Sequence, residues 1–348
     1  MAMEFTGSML LGARRYAAGL DLGARGVTLV VVSQRIVGAG PLRLEWLASA
    51  PLARDAMAGA EIVDRAAVVS ALHAVFRELP RPCKAASLRC AMALPASATL
   101  IATVPLARLA PSAAADPSGI HAELEPLVLA EAERVAGVER GELAVDWSVA
   151  SAASAASAAS AMGAPGVLDA AQAAQWRDTQ VTIAATQRQH LEARIECAAM
   201  AGITLRTVDD EAHAALRAMR HAAAYELPPL EPWVALWIGA DGMQGWFLVD
   251  DSVLRHMRFP ALEHADLVEA LRDLVGGEQA GCVQVAGDIA MLRGVNFSLA
   301  DIGDALGAPV LPFECGPLAD IERPLAADLL HEPSCAVAFG LALRGVSE

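Results

Sequence analysis

The sequence predicts an α/β protein built from two related halves. Strand-like apolar segments alternate with segments of helical period along the chain. Two stretches also share one layout, an apolar strand, a glycine-bearing tight turn and a second apolar strand. The first spans residues 18–32 and carries Asp21, Gly23, Arg25 and Gly26 at its turn. The second spans residues 233–250 and carries Gly239, Asp241, Gly242 and Gly245. Between them Leu227-Pro228-Pro229-Leu230-Glu231-Pro232 marks the strongest domain boundary in the chain.

The remaining elements follow in order. Residues 44–50 read as a strand. Residues 61–79 have helical period, with Ile62, Ala66, Val69, Leu72, Val75 and Phe76 on one face, and Pro80 and Pro82 end the helix. Residues 86–94 and 99–106 read as strands around the turn at Pro95-Ala96-Ser97. Asp116-Pro117-Ser118 is a capping sequence for a helix to about Ala136, and Pro126 inside it calls for a kink or a later start. A strand at 142–149 precedes the Ser-Ala-Ala repeat of residues 151–160 and the glycine- and proline-bearing stretch to Gly166, whose period of three fits neither core face and reads as a surface loop.

A strand at 181–185 leads to a helix at 188–201 closed by Gly202. A strand at 204–208 leads to a helix capped by Asp209 or Asp210 and running to His221. After the second hairpin come a strand at 252–259, a helix at 264–274, a strand at 282–285 ending in Ala286-Gly287-Asp288, a short turn at 289–293 and a strand at 310–313. The tail at 336–344 reads as a helix that returns to the first half.

Composition narrows the function. The chain has 348 residues, 55% of them hydrophobic and only 4% aromatic, so Ala, Leu and Val must build the core. A net charge of −15 argues against nucleic acid and anionic lipid as direct partners, although Arg77 and Arg81 form a local basic patch. The six cysteines contain no C-x-x-C pair and read as small core hydrophobes of a reducing, cytoplasmic setting. Met9-Leu10-Leu11 is too short for a signal-peptide core, and no stretch is long enough to span a bilayer, so no direct membrane insertion is expected.

The paired turns suggest a grip on a phosphate chain. Glycine turns bring backbone N–H groups close to phosphate oxygens, and Mg²⁺ is held through one or two carboxylates and waters. Asp21, at the end of its strand, is the candidate Mg²⁺ ligand through water; Gly23, Gly26 and Arg25 face the phosphates from one side, and Gly239, Asp241 and Gly242 from the other. Gly287, after an apolar strand, is the candidate contact to adenosine. ATP and Mg²⁺ are the corresponding cofactors. Each hairpin alone also fits an ordinary β-turn.

Four further stretches carry a family resemblance: Ala93-Leu94-Pro95-Ala96-Ser97; Glu142 to Trp147; Val181 to Arg188 with the helix to Gly202 and Val208-Asp209; and the closing Ala336-Val337-Ala338-Phe339-Gly340-Leu341-Ala342-Leu343-Arg344. With the hairpins they resemble the actin-like ATPase superfamily, and more closely the PilM family of type IV pilus assembly, itself similar to FtsA. The resemblance implies an actin-like, ribonuclease H-like, two-domain fold with an FtsA-like inserted subdomain. It divides the chain into an extension (1–17), a first actin-like domain (18–99, resumed at 203–229), an inserted α/β subdomain (100–202, with the Ser/Ala-rich loop 151–166), a second actin-like domain (230–325) and a C-terminal helix on the first domain (326–348). It also implies a cytoplasmic protein, peripheral at the inner membrane, that binds the N-terminal tail of a PilN-like membrane protein, and indirectly serves PilO/PilP-like proteins and pilus motor ATPases.

Three positions depart from the pattern the resemblance implies. Trp237 stands where the second hairpin's acid belongs. Phe259-Pro260-Ala261-Leu262 and Gly287-Asp288 stand where glycine pairs are usual. Trp cannot hold magnesium, and a carboxylate beside a polyphosphate repels it unless a metal bridges them. These departures predict a degenerate nucleotide site with no catalytic residue, in a docking scaffold rather than an enzyme. The alternatives are an active ATPase or kinase of the same superfamily and a type II secretion cytoplasmic component, which normally continues into a membrane helix.

Overall fold

In the computed structural model the residues described are 13–36, 41–84, 88–110, 120–150, 179–228, 230–250, 252–260, 264–318 and 325–347. They fall into two compact units, Met1–Ala96 with Ala193–Glu348, and Ser97–Glu192. The first unit begins with strands β1 (Arg14–Gly23), β2 (Gly26–Arg35), β3 (Arg43–Pro51), β4 (Met57–Ala58) and β5 (Glu61–Ile62), helix α1 (Arg65–Arg77) and strand β6 (Arg89–Leu94). The second unit carries β7 (Thr99–Pro105), α2 (Ile120–Ala136), β8 (Leu143–Ala150) and β9 (Gln180–Gln187). Helix α3 (Arg188–Met200) leads back into the first unit. There β10 (Leu205–Asp210), α4 (Glu211–Glu226), β11 (Trp233–Gly239), β12 (Gly242–Val249), β13 (Ser252–Phe259), α5 (His264–Val275), β14 (Cys282–Gly287), α6 (Leu299–Leu306), β15 (Val310–Pro312) and α7 (Ala336–Ser347) complete the chain.

The first unit contains one sheet design used twice. The strand orders are β3-β2-β1-β6-β10 and β13-β12-β11-β14-β15. In each, three antiparallel strands are followed by two parallel ones. The hairpin β1–β2 closes at Gly23 opposite Gly26, and β11–β12 closes at Gly239 opposite Gly242, so the two turns occupy equivalent places in their sheets. β11 is buried along its whole length, which is why it reads as a continuous apolar run rather than an alternating one.

One hydrophobic core joins the two sheets through α4 and α7. Ala17, Val30 and Ala91 of the first sheet share it with Ala235, Trp237 and Trp246 of the second, and with Ala214, Met219, Phe339 and Leu341 of the two helices. The alanine-rich composition has its cause here, because small side chains let backbones approach closely. A Cβ at Gly340 would lie 1.8 Å from the Ala214 carbonyl oxygen, and one at Gly19 would lie 1.8 Å from that of Ala338. Only glycine allows α7 to seat on α4 and β1 at this spacing. The outer face of the first sheet is covered by α1 and the end of α3, around Leu72, Val75 and Cys197. That of the second is covered by α5 and α6, around Leu271 and Ile302.

Charge fixes the same helix. The Asp209 carboxylate accepts from Arg217 Nη2 at 2.9 Å and pairs with Arg344 Nη1 at 3.0 Å, tying β10, α4 and α7 together. The closing Arg344 thus holds the tail in place. Removing the shared acceptor leaves two guanidiniums without it in a partly buried setting. Asp209→Ala is expected to cost about 2 kcal/mol, less than a fully buried pair because both arginines are a third exposed. A lowered urea midpoint at unchanged slope is the readout.

In the second unit, the antiparallel sheet β7-β9-β8 lays Val181, Ile183 and Ala185 against Leu124, Val128 and Ala132 of α2. Helix α2 runs through Pro126. The capping sequence Asp116-Pro117-Ser118 and the Ser-Ala repeat lie outside the described residues, as do Pro229, Ala261 and Leu262.

Several elements differ from expectation for physical reasons. The helix expected from Glu61 starts at Arg65, because the Asp64 side chain accepts from the Ala67 N–H and caps it, while Glu61–Ile62 pairs with Met57–Ala58 around Gly59. Helix α4 continues past His221 to Glu226, since Ala222 and Ala223 belong to the shared core. Helix α6, absent from the sequence reading, is set by a capping box of Ser298 and Asp301 and ends at Gly307 in the left-handed region. All six cysteines are buried and free. No helix among the described residues is long and apolar enough to cross a membrane.

Candidate functional site

The cleft lies within the first unit, where the two hairpin turns face the start of α4. Asp21 lies on β1 opposite Thr28, two residues before the turn. Burial pushes its carboxyl up to about 7, against the opposing pull of the Arg194 guanidinium. Arg194, on α3, is fully buried; its Nε donates to the Ala93 carbonyl at 3.1 Å and its Nη1 to the Ala60 carbonyl at 3.0 Å. Burial lowers its pKa to about 10, and Glu211 and Asp21 oppose that.

Glu211 is the residue the sequence reading missed. It is the first residue of α4, directly after the cap Asp210, whose side chain accepts from the His213 N–H at 2.8 Å. Glu211 Oε1 accepts from the Ala96 N–H at 2.7 Å. Burial first, then the neighbouring Asp21, Asp210 and Asp241 charges, push its carboxyl up to about 8, while the Ala96 bond opposes them. The run Asp209-Asp210-Glu211 at a strand-to-helix junction was the available signal. One Asp serves as the cap, another holds arginines, and the third acid is left to face the cleft.

Four of the candidate glycines have their missing side chain explained by the chain itself. A Cβ at Gly239 would lie 2.0 Å from the Trp237 ring. Trp237 is buried in the shared core, so its indole lies folded over the end of β11. Gly287 has φ +94°, and a Cβ there would meet the Ile238 carbonyl oxygen at 2.1 Å. Gly242, at φ +115°, is pressed against the Phe259 carbonyl, and Gly26 against that of Ala50. The nearest heavy atom to a Cβ at Gly23 is the Gly26 carbonyl oxygen, 3.8 Å away, an ordinary contact.

The structure joins Arg25 of the first turn and Asp288, beside Gly287, in an ion pair between the two halves. Arg25 is 78% exposed, so this pair is a surface contact of small energetic weight. Elsewhere, Arg258 Nη2 of β13 donates to the Ala96 carbonyl at 3.3 Å, a second link between the halves. Asp241 sits in the turn facing Glu211 closely enough to raise its pKa. Among the described residues no three His, Cys, Asp or Glu side chains stand close enough to hold a metal ion as a set.

Doubled five-stranded sheets of one order, with paired turns at a shared cleft, define the actin-like fold. A solved PilM–PilN type IV pilus biogenesis complex superposes with a TM-score of 0.65 at 21% identity, covering 95% of this chain and 98% of that one. A Bacteroides thetaiotaomicron protein of actin-like ATPase fold and unknown function matches with a TM-score of 0.45 at 10% identity, over 88% of this chain and 93% of that one. The cytoplasmic domain of EpsL, an inner membrane component of the Vibrio cholerae type II secretion system, gives 0.42 at 13% identity, over 97% and 96%. Within the class the chain resembles the PilM family, since residues 19–162 match the profile described as type IV pilus assembly protein PilM. No curated protein sequence matches the chain.

Proposed function

We propose that this chain is an actin-like scaffold of type IV pilus assembly that docks the N-terminal cytoplasmic tail of a PilN-like membrane protein and does not turn over ATP. It acts at the cytoplasmic face of the inner membrane, held there by that partner, within an assembly containing PilO/PilP-like proteins and served by pilus motor ATPases. The family match and the fold shared with a protein solved in complex with PilN support the docking role.

The observation that carries the second half is Trp237. Its buried indole covers Gly239, at the turn where a phosphate would need open backbone. The other features agree. Gly287 and Gly242 are pressed against their own chain, Arg25 is engaged by Asp288, and Asp21 and Glu211 are both pushed toward the protonated form, which does not bind magnesium. The residues therefore fit Mg²⁺-ATP poorly, and no hydrolytic step is derived.

A second reading, an active ATPase, is favoured by the gathering of Asp21, Glu211 and Asp241 at one cleft. Calorimetry separates the two. The scaffold reading expects no heat of binding from Mg²⁺-ATP at micromolar concentration and unchanged capture of a PilN-like tail peptide without nucleotide. Micromolar binding that is lost on Asp21→Ala would overturn the reading that the cleft fits Mg²⁺-ATP poorly.

A further inference from the structure

We infer that Glu211 and Arg258 form a clamp on the turn through which the chain leaves the first unit, and that this clamp ties the opening of the cleft to the looseness of both chain crossings into the second unit. The chain crosses after Ala96 and returns before Ala193. The two crossings differ in stiffness. The return runs inside α3, which spans Arg188–Met200 without a break, so its backbone is held by the helix's own hydrogen bonds. The exit is the four-residue turn 95–98 between β6 and β7. Hinging at the crossings must therefore bend that turn.

The turn is gripped by charged side chains from two different elements. Ala96 is buried, and both of its backbone polar groups are taken. Glu211 Oε1, at the start of α4, accepts from its N–H at 2.7 Å. Arg258 Nη2, on β13 of the second sheet, donates to its carbonyl at 3.3 Å. A buried backbone group that loses its partner is costly, so the turn stays where these two side chains stand. The return is bonded to the same place. Arg194, one residue past the point where the first unit resumes, donates from Nε to the Ala93 carbonyl at 3.1 Å and from Nη1 to the Ala60 carbonyl at 3.0 Å.

The clamp can be released because its side chains, unlike the turn, are open to solvent. Glu211 is half-buried and Arg258 is exposed, whereas Ala96 is only 4% exposed. Arg258 belongs to the second sheet, and Ala96 follows a strand of the first. Parting of the two sheets at the cleft withdraws the guanidinium from the carbonyl and frees the exit. The bond from Arg194 to Ala93 carries the change to the return. Both clamp residues are positioning residues that act through the chain's own backbone. The inference goes beyond the function proposed above and holds whether or not ATP binds.

The test is hydrogen exchange of the full chain at pH 6, where Glu211, its carboxyl pushed up to about 8, keeps its proton in the parent. Arg258→Met and Glu211→Ala are each expected to speed exchange about tenfold at residues 96–98 and, together with it, at residues 192–195, where neither side chain is hydrogen-bonded. Glu211→Gln keeps the acceptor for the Ala96 N–H and should exchange like the parent at both places. Residues 68–75 of α1 are the reference and should not change in any variant. Arg258 is exposed, and an unchanged melting temperature confirms that its variant folds, so the test stands even if Glu211→Ala does not fold. Faster exchange confined to 96–98, no acceleration at either crossing, acceleration at 68–75 equal to that at the crossings, or Glu211→Gln exchanging as fast as Glu211→Ala would each overturn the inference.

Discussion

Gly340→Ala is expected to lower the melting temperature by about 10 °C or more, although the substitution sits in a helix interior where alanine is normally favoured. By propensity alone it should stabilise by about 1 kcal/mol. The new Cβ, however, would lie 1.8 Å from the Ala214 carbonyl oxygen and 2.6 Å from its carbon, so backbone and not a flexible side chain must move. Separating α7 from α4 opens the core that both sheets share, at Phe339, Ala342 and Ala214. Overpacking against a rigid wall costs about 3–4 kcal/mol after the propensity gain is offset, and each kcal/mol is worth about 3 °C in a unit of this size. Gly294→Ala is the control, since a Cβ there has no heavy atom within 4 Å. The two substitutions should move the melting temperature in opposite directions. A Gly340→Ala protein as stable as Gly294→Ala would mean that α7 and α4 are not packed at this distance.

The same residues show which parts of the structure could be read from sequence. The duplicated hairpins and the helix ending at Gly202 were legible, because each rests on a local rule, either alternation of apolar and polar residues or a glycine that only one geometry accepts, whereas the compact units divide at Ala96 and Ala193 and not near Pro228. The actin-like fold came from the family resemblance that the hairpins carry together with the four stretches at 93–97, 142–147, 181–209 and 336–344. The β4–β5 pair was not legible, since Ile62 continued the apolar period of α1 and only the Asp64 cap separates them. α6 was missed because a helix of two turns has too few residues to establish a period, although its Ser298–Asp301 box was present.

The candidate cleft was legible as a set of turns but not as chemistry. Glycines were assigned to a ligand because only glycine permits close approach, yet sequence does not say what approaches. At Gly239 it is Trp237 and at Gly287 it is Ile238. Arg25 finds its partner 263 residues away in Asp288. Glu211 was concealed by its neighbours in the Asp-Asp-Glu run, whose three acids take three different roles that only the tertiary contacts assign. Trp237 was the most informative departure. An acid replaced by an aromatic points to core instead of solvent, and the residue is buried.

Glu211→Gln is expected to stabilise the protein in alkaline solution and to leave it unchanged in acid. In the folded chain the Glu211 carboxyl is pushed up to about 8, from 4.5 when unfolded, by burial and by Asp21, Asp210 and Asp241. Between these values the folded state holds a proton that the unfolded state has lost. Stability therefore falls as pH rises from about 4.5 to about 8 and levels off above. Asp21, raised to about 7 from 3.8, contributes in the same direction, and the two carboxyls reinforce each other because each ionises at the expense of its neighbour. Glutamine keeps the oxygen that accepts from the Ala96 N–H and never ionises. It copies the protonated acid, so near pH 4 the variant and the parent should melt together. Each pH unit of displacement corresponds to about 1.4 kcal/mol, so at pH 8.5 the variant should exceed the parent by on the order of 5 kcal/mol, or about 15 °C. Glu211→Ala provides the contrast. It also removes the charge but leaves the Ala96 N–H without its acceptor, and it should recover less of the gain. Parallel melting curves for parent and glutamine variant from pH 5 to 8.5 would show that Glu211 ionises freely in the cleft, with its charge already compensated there. A metal-binding role for the floor of the cleft would then regain its main electrostatic support, because the carboxylates a divalent ion requires would be present at neutral pH without it.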